Sequence, residues 1–202
     1  MTLLIGIAGR MRTGKSSLAN LIQEWLANDD NKICIDSFAE ALRQELAEML
    51  WDKPPAEARF MLHRYETQDK TSIRPLLQAW GQAKRDLITS DYWVDVLRKN
   101  VQNKGCDIAI IDDVRHHNEA DYILRNGGIL IHLHAPTDTL VERGAEPERL
   151  GHYSETAFTN PSAFSFIVPH RVLTLNTGGM SALGMFKALK PFLEEMIEGE
   201  EE

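Results

Sequence analysis

The sequence of 202 residues has only two cysteines, no long apolar run and no excess of positive charge. Its longest apolar runs, such as residues 108–111 and 129–131, have strand length, whereas a membrane span needs roughly 18 apolar residues. The N-terminus enters an apolar segment without a basic leader, which argues against a signal peptide. The net charge of −8 argues against broad attraction to DNA or RNA. We therefore expect a protein that binds neither membranes nor nucleic acid.

The two cysteines, Cys34 and Cys106, both lie in apolar, strand-like surroundings with no second cysteine nearby in the sequence. This placement favours buried free thiols over a disulfide or a metal site. Free thiols are typical of reducing compartments, so the sequence predicts a cytoplasmic protein.

Apolar runs alternate along the chain with segments of helical period, which predicts an α/β domain with a mainly parallel sheet. The predicted strands are 2–7, 32–38, 107–112, 129–134 and 171–176. The predicted helices are 16–27, 39–50, 94–103, 118–126, with Asn118 as cap, and a last one from Ser181. Two segments, about 39–93 and about 143–164, interrupt the alternation. We interpret them as insertions around a site, in a single-domain core of about 1–38, 94–142 and 165–202.

The strongest motif is Gly9-Arg-Met-Arg-Thr-Gly-Lys-Ser16, which fits G-x-x-x-x-G-K-[ST]. Gly9 and Gly14 permit the backbone angles that turn successive N–H groups towards an anion. Lys15 would reach the β- and γ-phosphates, and the Ser16 hydroxyl is a typical Mg²⁺ ligand. A chance glycine-rich turn is the alternative, but the motif lies between a predicted strand and an amphipathic helix. The sequence therefore predicts binding of a nucleoside triphosphate, ATP, with Mg²⁺.

A second group of candidate residues follows a predicted strand. Asp112 and Asp113 lie at its carboxyl end, where ligands collect in open α/β sheets, and one of them would hold the water shell of the metal. Arg115 could bind the phosphate of an acceptor and offset its repulsion from the γ-phosphate. The alternative for Arg115 is a surface ion pair with Glu119.

Both interrupting segments carry arginines. The first mixes arginines such as Arg43, Arg74 and Arg85 with aromatic residues such as Trp80, a mixture that could stack a nucleobase and hold its phosphate. Solvated helices that pack their aromatic residues would give the same mixture. The second segment carries Arg143 and Arg149, and it could be either a flap that closes over phosphates or an ordinary surface loop.

Together these motifs resemble the deoxynucleoside monophosphate kinases of bacteriophages and their bacterial relatives. The matching blocks are LIGIAGRMRTGKSSLA, SFAEALR, IRPLLQAWGQAKRDLITSDYWV, IIDDVRHHNEADYILRNGG and HYSE, in that order along the chain. The resemblance implies a P-loop kinase fold with five mainly parallel strands flanked by helices, a monophosphate-binding insertion and a lid. It also implies transfer of the γ-phosphoryl group of ATP to a deoxynucleoside 5′-monophosphate. The exposed apolar residues do not require a dimer, so the protein could be a monomer or a homodimer.

The resemblance also implies roles for individual residues. ATP would be bound by Gly9, Arg12, Thr13, Gly14, Lys15, Ser16, Ser17 and Asn176. Catalysis would depend on Lys15, Asp113, Arg115, Arg143 and Arg149. The acceptor would be bound by Phe38, Arg43, Arg74, Gln78, Trp80, Arg85, Arg115, Glu119, His152 and Glu155. Mg²⁺ would be held by Ser16, Asp112 and Asp113.

The sequence departs from the relatives at two positions, since His116 stands where an aromatic residue is common and His134 where an arginine is usual. The role that this arginine has in the relatives would be taken here by Arg143, Arg149, Arg10 or Arg12. Two alternative functions remain open. One is a P-loop kinase for another phosphorylated metabolite, and the other is a regulator that binds nucleotide without transferring phosphate.

Overall fold

The computed structural model describes residues 2–27, 31–68, 70–151, 155 and 169–198. Five strands form one parallel sheet, in the order β2-β3-β1-β4-β5. The strands are β1 (Leu3–Gly9), β2 (Ile33–Asp36), β3 (Ile108–Val114), β4 (Ile129–His134) and β5 (Val172–Asn176). This confirms the predicted α/β class and the five-stranded parallel sheet.

The register of the sheet places the carboxyl ends of β1, β3 and β4 side by side. Ile5 in the central strand β1 pairs with Ile110 of β3 and Ile129 of β4. At the end of β1, Gly9 pairs with Leu133. Because all strands are parallel, the segments that follow β1, β3 and β4 leave the sheet on the same side, which is where open α/β sheets place their ligands.

The chain divides into two compact units, and each is described separately. Unit 1 comprises residues 1–36 and 101–202 and contains the whole sheet. Its helices are α1 (Lys15–Leu26), α6 (His117–Arg125), α7 (Thr137–Glu142), α8 (Pro147–Leu150) and α9 (Ala182–Glu198). Its main core packs α1 and α9 against one face of the sheet, through side chains such as Leu18, Ile22, Ile131, Leu189 and Leu193.

Unit 2 comprises residues 37–100, and its secondary structure is helical throughout the described part. Its helices are α2 (Phe38–Leu50), α3 (Pro55–Gln68), α4 (Lys70–Leu87) and most of α5 (Tyr92–Lys104), which carries the chain back into unit 1. A second core forms around Leu46, Leu62 and Leu77. Between the predicted helices 39–50 and 94–103, the chain thus contains α3 and α4, which share this core with α2. The assignment of about 39–93 as an insertion stays a prediction.

Several predicted boundaries are wrong for local reasons. Helix α2 begins at Phe38 rather than Ala39 and β2 ends before it, because the Ser37 hydroxyl accepts a hydrogen bond from the Glu40 N–H (2.9 Å) and caps the helix. Asn118 does not cap α6, which begins at His117. The buried Glu119 carboxylate accepts from the N–H groups of Arg115 and His116 (2.7 and 3.0 Å), and so fixes an earlier start.

The short helices α7 and α8 lie in a segment for which the sequence analysis predicts no helix. Leu140, Ala145 and Leu150 form a small buried cluster there, against which Met11 packs. Tertiary burial therefore orders a segment whose own helical period is weak. Within the predicted 143–164 insertion, only residues 143–151 and 155 belong to the described part of the chain.

The prediction of free thiols is wrong, because Cys34 and Cys106 form a disulfide. The sequence separates them by 72 residues, but Cys34 lies on β2 and Cys106 lies just before β3, the strand that pairs with β2. The sheet register therefore brings together two thiols that look isolated in the sequence. Among the described residues, no helix is long and apolar enough to cross a membrane.

Candidate phosphate-binding site

The candidate site is built on the loop between β1 and α1. Gly9 has φ +142°, and a Cβ there would lie 2.3 Å from the carbonyl oxygen of Leu133. Gly14, at φ +101°, is the N-cap of α1, and Arg12 also has a positive φ of 63°. These conformations strongly favour glycine at the two fixed positions, and they give the loop the form of an anion-binding turn at a helix N-terminus.

Lys15 is buried at the start of α1, and its ammonium donates to the carbonyl oxygens of Gly9 (2.7 Å) and Arg10 (2.9 Å). Its pKa is lowered to about 8, mainly by burial and also by the nearby Arg115 guanidinium. The carboxylates of Glu155, Asp113 and Asp112 act in the opposite direction and raise this pKa. Two cations and three carboxylates therefore interact electrostatically around the loop.

The structure distinguishes the two aspartates at the end of β3. The Ser16 hydroxyl donates to Asp112 Oδ2 at 2.6 Å. Asp113 is the next residue of the strand, and its negative charge acts to raise the pKa of both Lys15 and Arg115. A hydroxyl and carboxylate oxygens are hard ligands of the kind that Mg²⁺ prefers, so this donor set fits the ion. Within the described residues, no three His, Cys, Asp or Glu side chains form a metal-binding group, so phosphate and water oxygens would complete the shell.

Arg115 lies directly after β3 and is held by two glutamates. Its guanidinium pairs with the carboxylate of Glu155, and its backbone N–H donates to Glu119. Glu155 also accepts from the backbone N–H of Met11, inside the phosphate loop, at 2.6 Å. The Glu155 side chain is 1% exposed. Arg115 thus belongs to the same cluster as the loop, rather than to an exposed surface.

Arg143, at the end of α7, reaches both the phosphate loop and the segment after β5. Its guanidinium donates to the carbonyl oxygens of Thr177 (2.6 Å) and Arg12 (3.3 Å). A cavity of about 440 Å³ opens beside it. The cavity is lined by Arg12, Gly14, Lys15, Ser16, Ser17, Arg143, Met180, Ala182 and Met185. Its polar wall is the phosphate loop, and two methionines give it an apolar wall.

The other predicted residues of unit 1 have separate surroundings. Asn176, at the end of β5, accepts from the Gly178 N–H through its side-chain oxygen (2.9 Å), which shapes the turn beside the cavity. Arg149 pairs with Glu146 on its own short helix (2.6 Å) and does not line the cavity. His152 lies outside the described residues. The catalytic and binding roles of these residues stay predictions.

The predicted acceptor residues of unit 2 are spread over α2 and α4. Phe38 is buried at the start of α2, and Arg43 pairs with Glu66 of α3 (3.0 Å). On α4, Gln78 is exposed, Trp80 packs against the helical core, and Arg85 donates to the carbonyl of Gly81 (3.3 Å). The side chain of Arg74 lies outside the described part. Substrate binding by all of these residues stays a prediction.

Two methionines that contribute to the site were not predicted from the sequence. Met180 and Met185 form the apolar wall of the cavity, and no motif marks them. Arg10 donates to the Leu150 carbonyl (3.0 Å) and ties the loop to the end of α8. The positive φ of Arg12 was not predicted either, because arginine does not signal a left-handed conformation as glycine does.

Comparison with known proteins finds similar solved structures. The solved structure of a gluconokinase from Sinorhizobium meliloti 1021 is similar, with a TM-score of 0.50 at 15% identity, covering 98% of this chain and 94% of that chain. That of shikimate kinase from Aquifex aeolicus vf5 gives a TM-score of 0.46 at 15% identity, covering 98% and 99%.

These identities show the fold alone, which is similar to that of the solved gluconokinase. The sequence has no match among curated proteins. A family model described as "AAA domain" matches residues 5–149, a span that includes the phosphate loop, both aspartates and Arg115. The chain therefore belongs to the AAA domain family.

Proposed function

We propose that the protein is an ATP-dependent kinase that phosphorylates deoxynucleoside 5′-monophosphates to diphosphates. The observation that carries the proposal is the cluster around the phosphate loop of unit 1. There, the positive charge of Arg115 is close enough to Lys15 to lower the pKa of that lysine, and the Ser16 hydroxyl donates to Asp112. A triphosphate at the loop would meet one cation at the helix start and a second just beyond β3. Phosphoryl transfer needs such fixed positive charge around the transferred group.

The donor would be held by the loop itself. Lys15 would exchange the carbonyls of Gly9 and Arg10 for phosphate oxygens, while the N–H groups of the loop hold the phosphate chain. Ser16 and Asp112 would hold Mg²⁺, which neutralises developing charge on phosphate oxygens when bound. The cavity between Arg143 and the methionines is large enough for further parts of the nucleotide.

The acceptor needs orientation more than activation. A monophosphate has a second pKa near ~6, so its attacking oxygen is already mostly anionic at neutral pH and no general base is required. Arg115 would offset repulsion between the acceptor phosphate and the γ-phosphate. Arg43, Arg74, Gln78, Trp80 and Arg85 are proposed as acceptor-binding residues on the resemblance described above.

One observation favours a second candidate, an acceptor that presents a hydroxyl group, and the similar structure of a gluconokinase suggests gluconate as a test compound. Arg115 already pairs with the buried carboxylate of Glu155, so its charge is compensated without an acceptor phosphate. A hydroxyl acceptor would require a base, and Asp113 at the end of β3 is the candidate.

The deciding experiment is product analysis. Purified protein with ATP and Mg²⁺ would be incubated with the four deoxynucleoside monophosphates, AMP and gluconate, and the products separated by ion-exchange chromatography. We expect a deoxynucleoside diphosphate from at least one acceptor and none with Lys15→Ala. Phosphorylation of gluconate alone would support the second candidate. Nucleotide binding without any product would reject both and favour a regulator.

A further inference from the structure

Glu155 is the feature of the site that phosphate binding alone does not explain. Its carboxylate is buried against the phosphate loop, where it accepts the backbone N–H of Met11 at 2.6 Å and pairs with the guanidinium of Arg115. A buried carboxylate is costly unless it is paired and hydrogen-bonded. Here its two partners are the guanidinium of Arg115 and the backbone N–H of Met11, and both belong to the site.

The partners of Glu155 are the groups that a phosphate oxygen would use. Phosphate is bound in proteins by backbone N–H groups of glycine-rich loops and by guanidinium groups. Glu155 takes one donor of each kind and also acts on the charge of Lys15, which raises the pKa of that lysine. The carboxylate therefore resembles a bound phosphate in its partners and in the sign of its charge.

The same part of the loop is anchored by neighbouring contacts. Arg10 donates to the Leu150 carbonyl (3.0 Å), and Met11 packs against the cluster of Leu140, Ala145 and Leu150. The Met11 N–H is therefore held in place by the side chain of Met11 itself and by that of the preceding Arg10. Its bond to Glu155 is part of a built contact and not an isolated surface encounter.

We propose that Glu155 competes with a phosphate group for Arg115 and for the Met11 N–H, and thereby sets the affinity of this site for phosphate. The carboxylate must give up these donors when a phosphoryl group approaches them. The site then binds phosphate more weakly than its cations alone would allow, which also favours release of a phosphorylated product. The proposal rests on the proposed function only in that the loop must receive a phosphate chain.

The test measures binding without turnover. Tripolyphosphate would be titrated by calorimetry into the wild-type protein, Glu155→Gln and the control Glu148→Gln, which makes the same charge change at an exposed residue of α8. We expect Glu155→Gln to bind about tenfold more tightly or better, the factor that corresponds to losing one competing charge-assisted hydrogen bond. Glu148→Gln should stay within about twofold of wild type, since exposed charges contribute little.

Equal or weaker binding by Glu155→Gln would overturn the proposal and leave Glu155 as a purely structural partner of Arg115. If this variant does not fold, Glu155→Asp keeps the charge but shortens the side chain by one methylene. It should also bind tripolyphosphate more tightly than wild type, by a smaller factor, and equality would again overturn the proposal. Because the readout is binding, a failure to phosphorylate any acceptor would reject the proposed function without affecting this result. Absence of binding by every variant would reject both.

Discussion

Lys15 and Arg143 of unit 1 are held in a different way from Arg43 and Arg59 of unit 2. In unit 1, Lys15 and Arg143 donate to backbone carbonyls, which carry no net charge. In unit 2, Arg43 pairs with Glu66 and Arg59 makes a bidentate pair with Glu40 (2.6 and 2.7 Å). A cation that is held by carbonyls keeps its charge for a ligand, whereas a cation paired with a carboxylate is already compensated.

The comparison shows why a cluster of arginines in a sequence is weak evidence of a binding site. Arginines between amphipathic helices have glutamates of neighbouring helices as partners, and such pairs stabilise the packing of those helices. Arg115 is paired with a carboxylate, like Arg43 and Arg59 of unit 2. Its partner, however, is Glu155, a buried residue of the site itself. The following predictions test whether cations held by carbonyls and cations paired with carboxylates differ in this way.

The largest effect is expected for Lys15→Ala. The ammonium is the charge that the loop directs at phosphate, so turnover should fall by about 100- to 1000-fold, the cost of removing one preorganised charge-stabilising group. The melting temperature should change little, because burial already penalises this ammonium. Steady-state kinetics and thermal unfolding measure the two quantities.

Lys187→Ala is the matched control, since it removes an exposed lysine of α9. It should leave turnover within about twofold of wild type, as expected for an exposed charge. If Lys15→Ala kept more than about a tenth of the activity, the phosphate loop would not be the donor site.

A smaller effect is expected from pH. The pKa of Lys15 is lowered to about 8, mainly by burial, so the ammonium is charged below this pH and increasingly neutral above it. Bound triphosphate favours the charged form and raises this pKa, so binding takes up a proton above pH 8. Affinity for ATP should therefore fall by about tenfold per pH unit above about pH 8.

Calorimetry in two buffers of different ionisation enthalpy would measure this proton uptake. It should approach one proton at about pH 9 and nearly vanish at about pH 6, where Lys15 is charged in both states. Lys15→Ala should bind weakly at both pH values and show no uptake from this group. A constant affinity between the two pH values would mean that Lys15 does not titrate in the site.

The sequence predicted the features that depend on local spacing. The phosphate loop could be predicted because Gly9, Gly14, Lys15 and Ser16 each have a role fixed by their position in one short segment. The strand order could not be derived in this way, and the disulfide depends on it, since only the pairing of β2 with β3 brings Cys34 near Cys106.

Other features of the site depend on contacts between distant segments. The sequence could not decide between the neighbouring Asp112 and Asp113, because strand direction alone does not show which one Ser16 contacts. It also could not predict that Glu155 pairs with Arg115, a contact across 40 residues. Such contacts follow from tertiary packing and leave no periodic trace in the sequence.

The smallest effect is expected for Arg59→Gln in unit 2. The variant breaks a partly buried bidentate pair with Glu40, so the free energy of unfolding should fall by about 1 kcal/mol. Arg98→Gln, which breaks the more exposed pair with Asp95, is the control and should cost less. Urea unfolding of both variants measures the difference. If Arg59→Gln left stability unchanged but raised KM for the acceptor, this arginine would bind a ligand despite its carboxylate partner. Pairing with a carboxylate would then not distinguish structural arginines from ligand-binding ones.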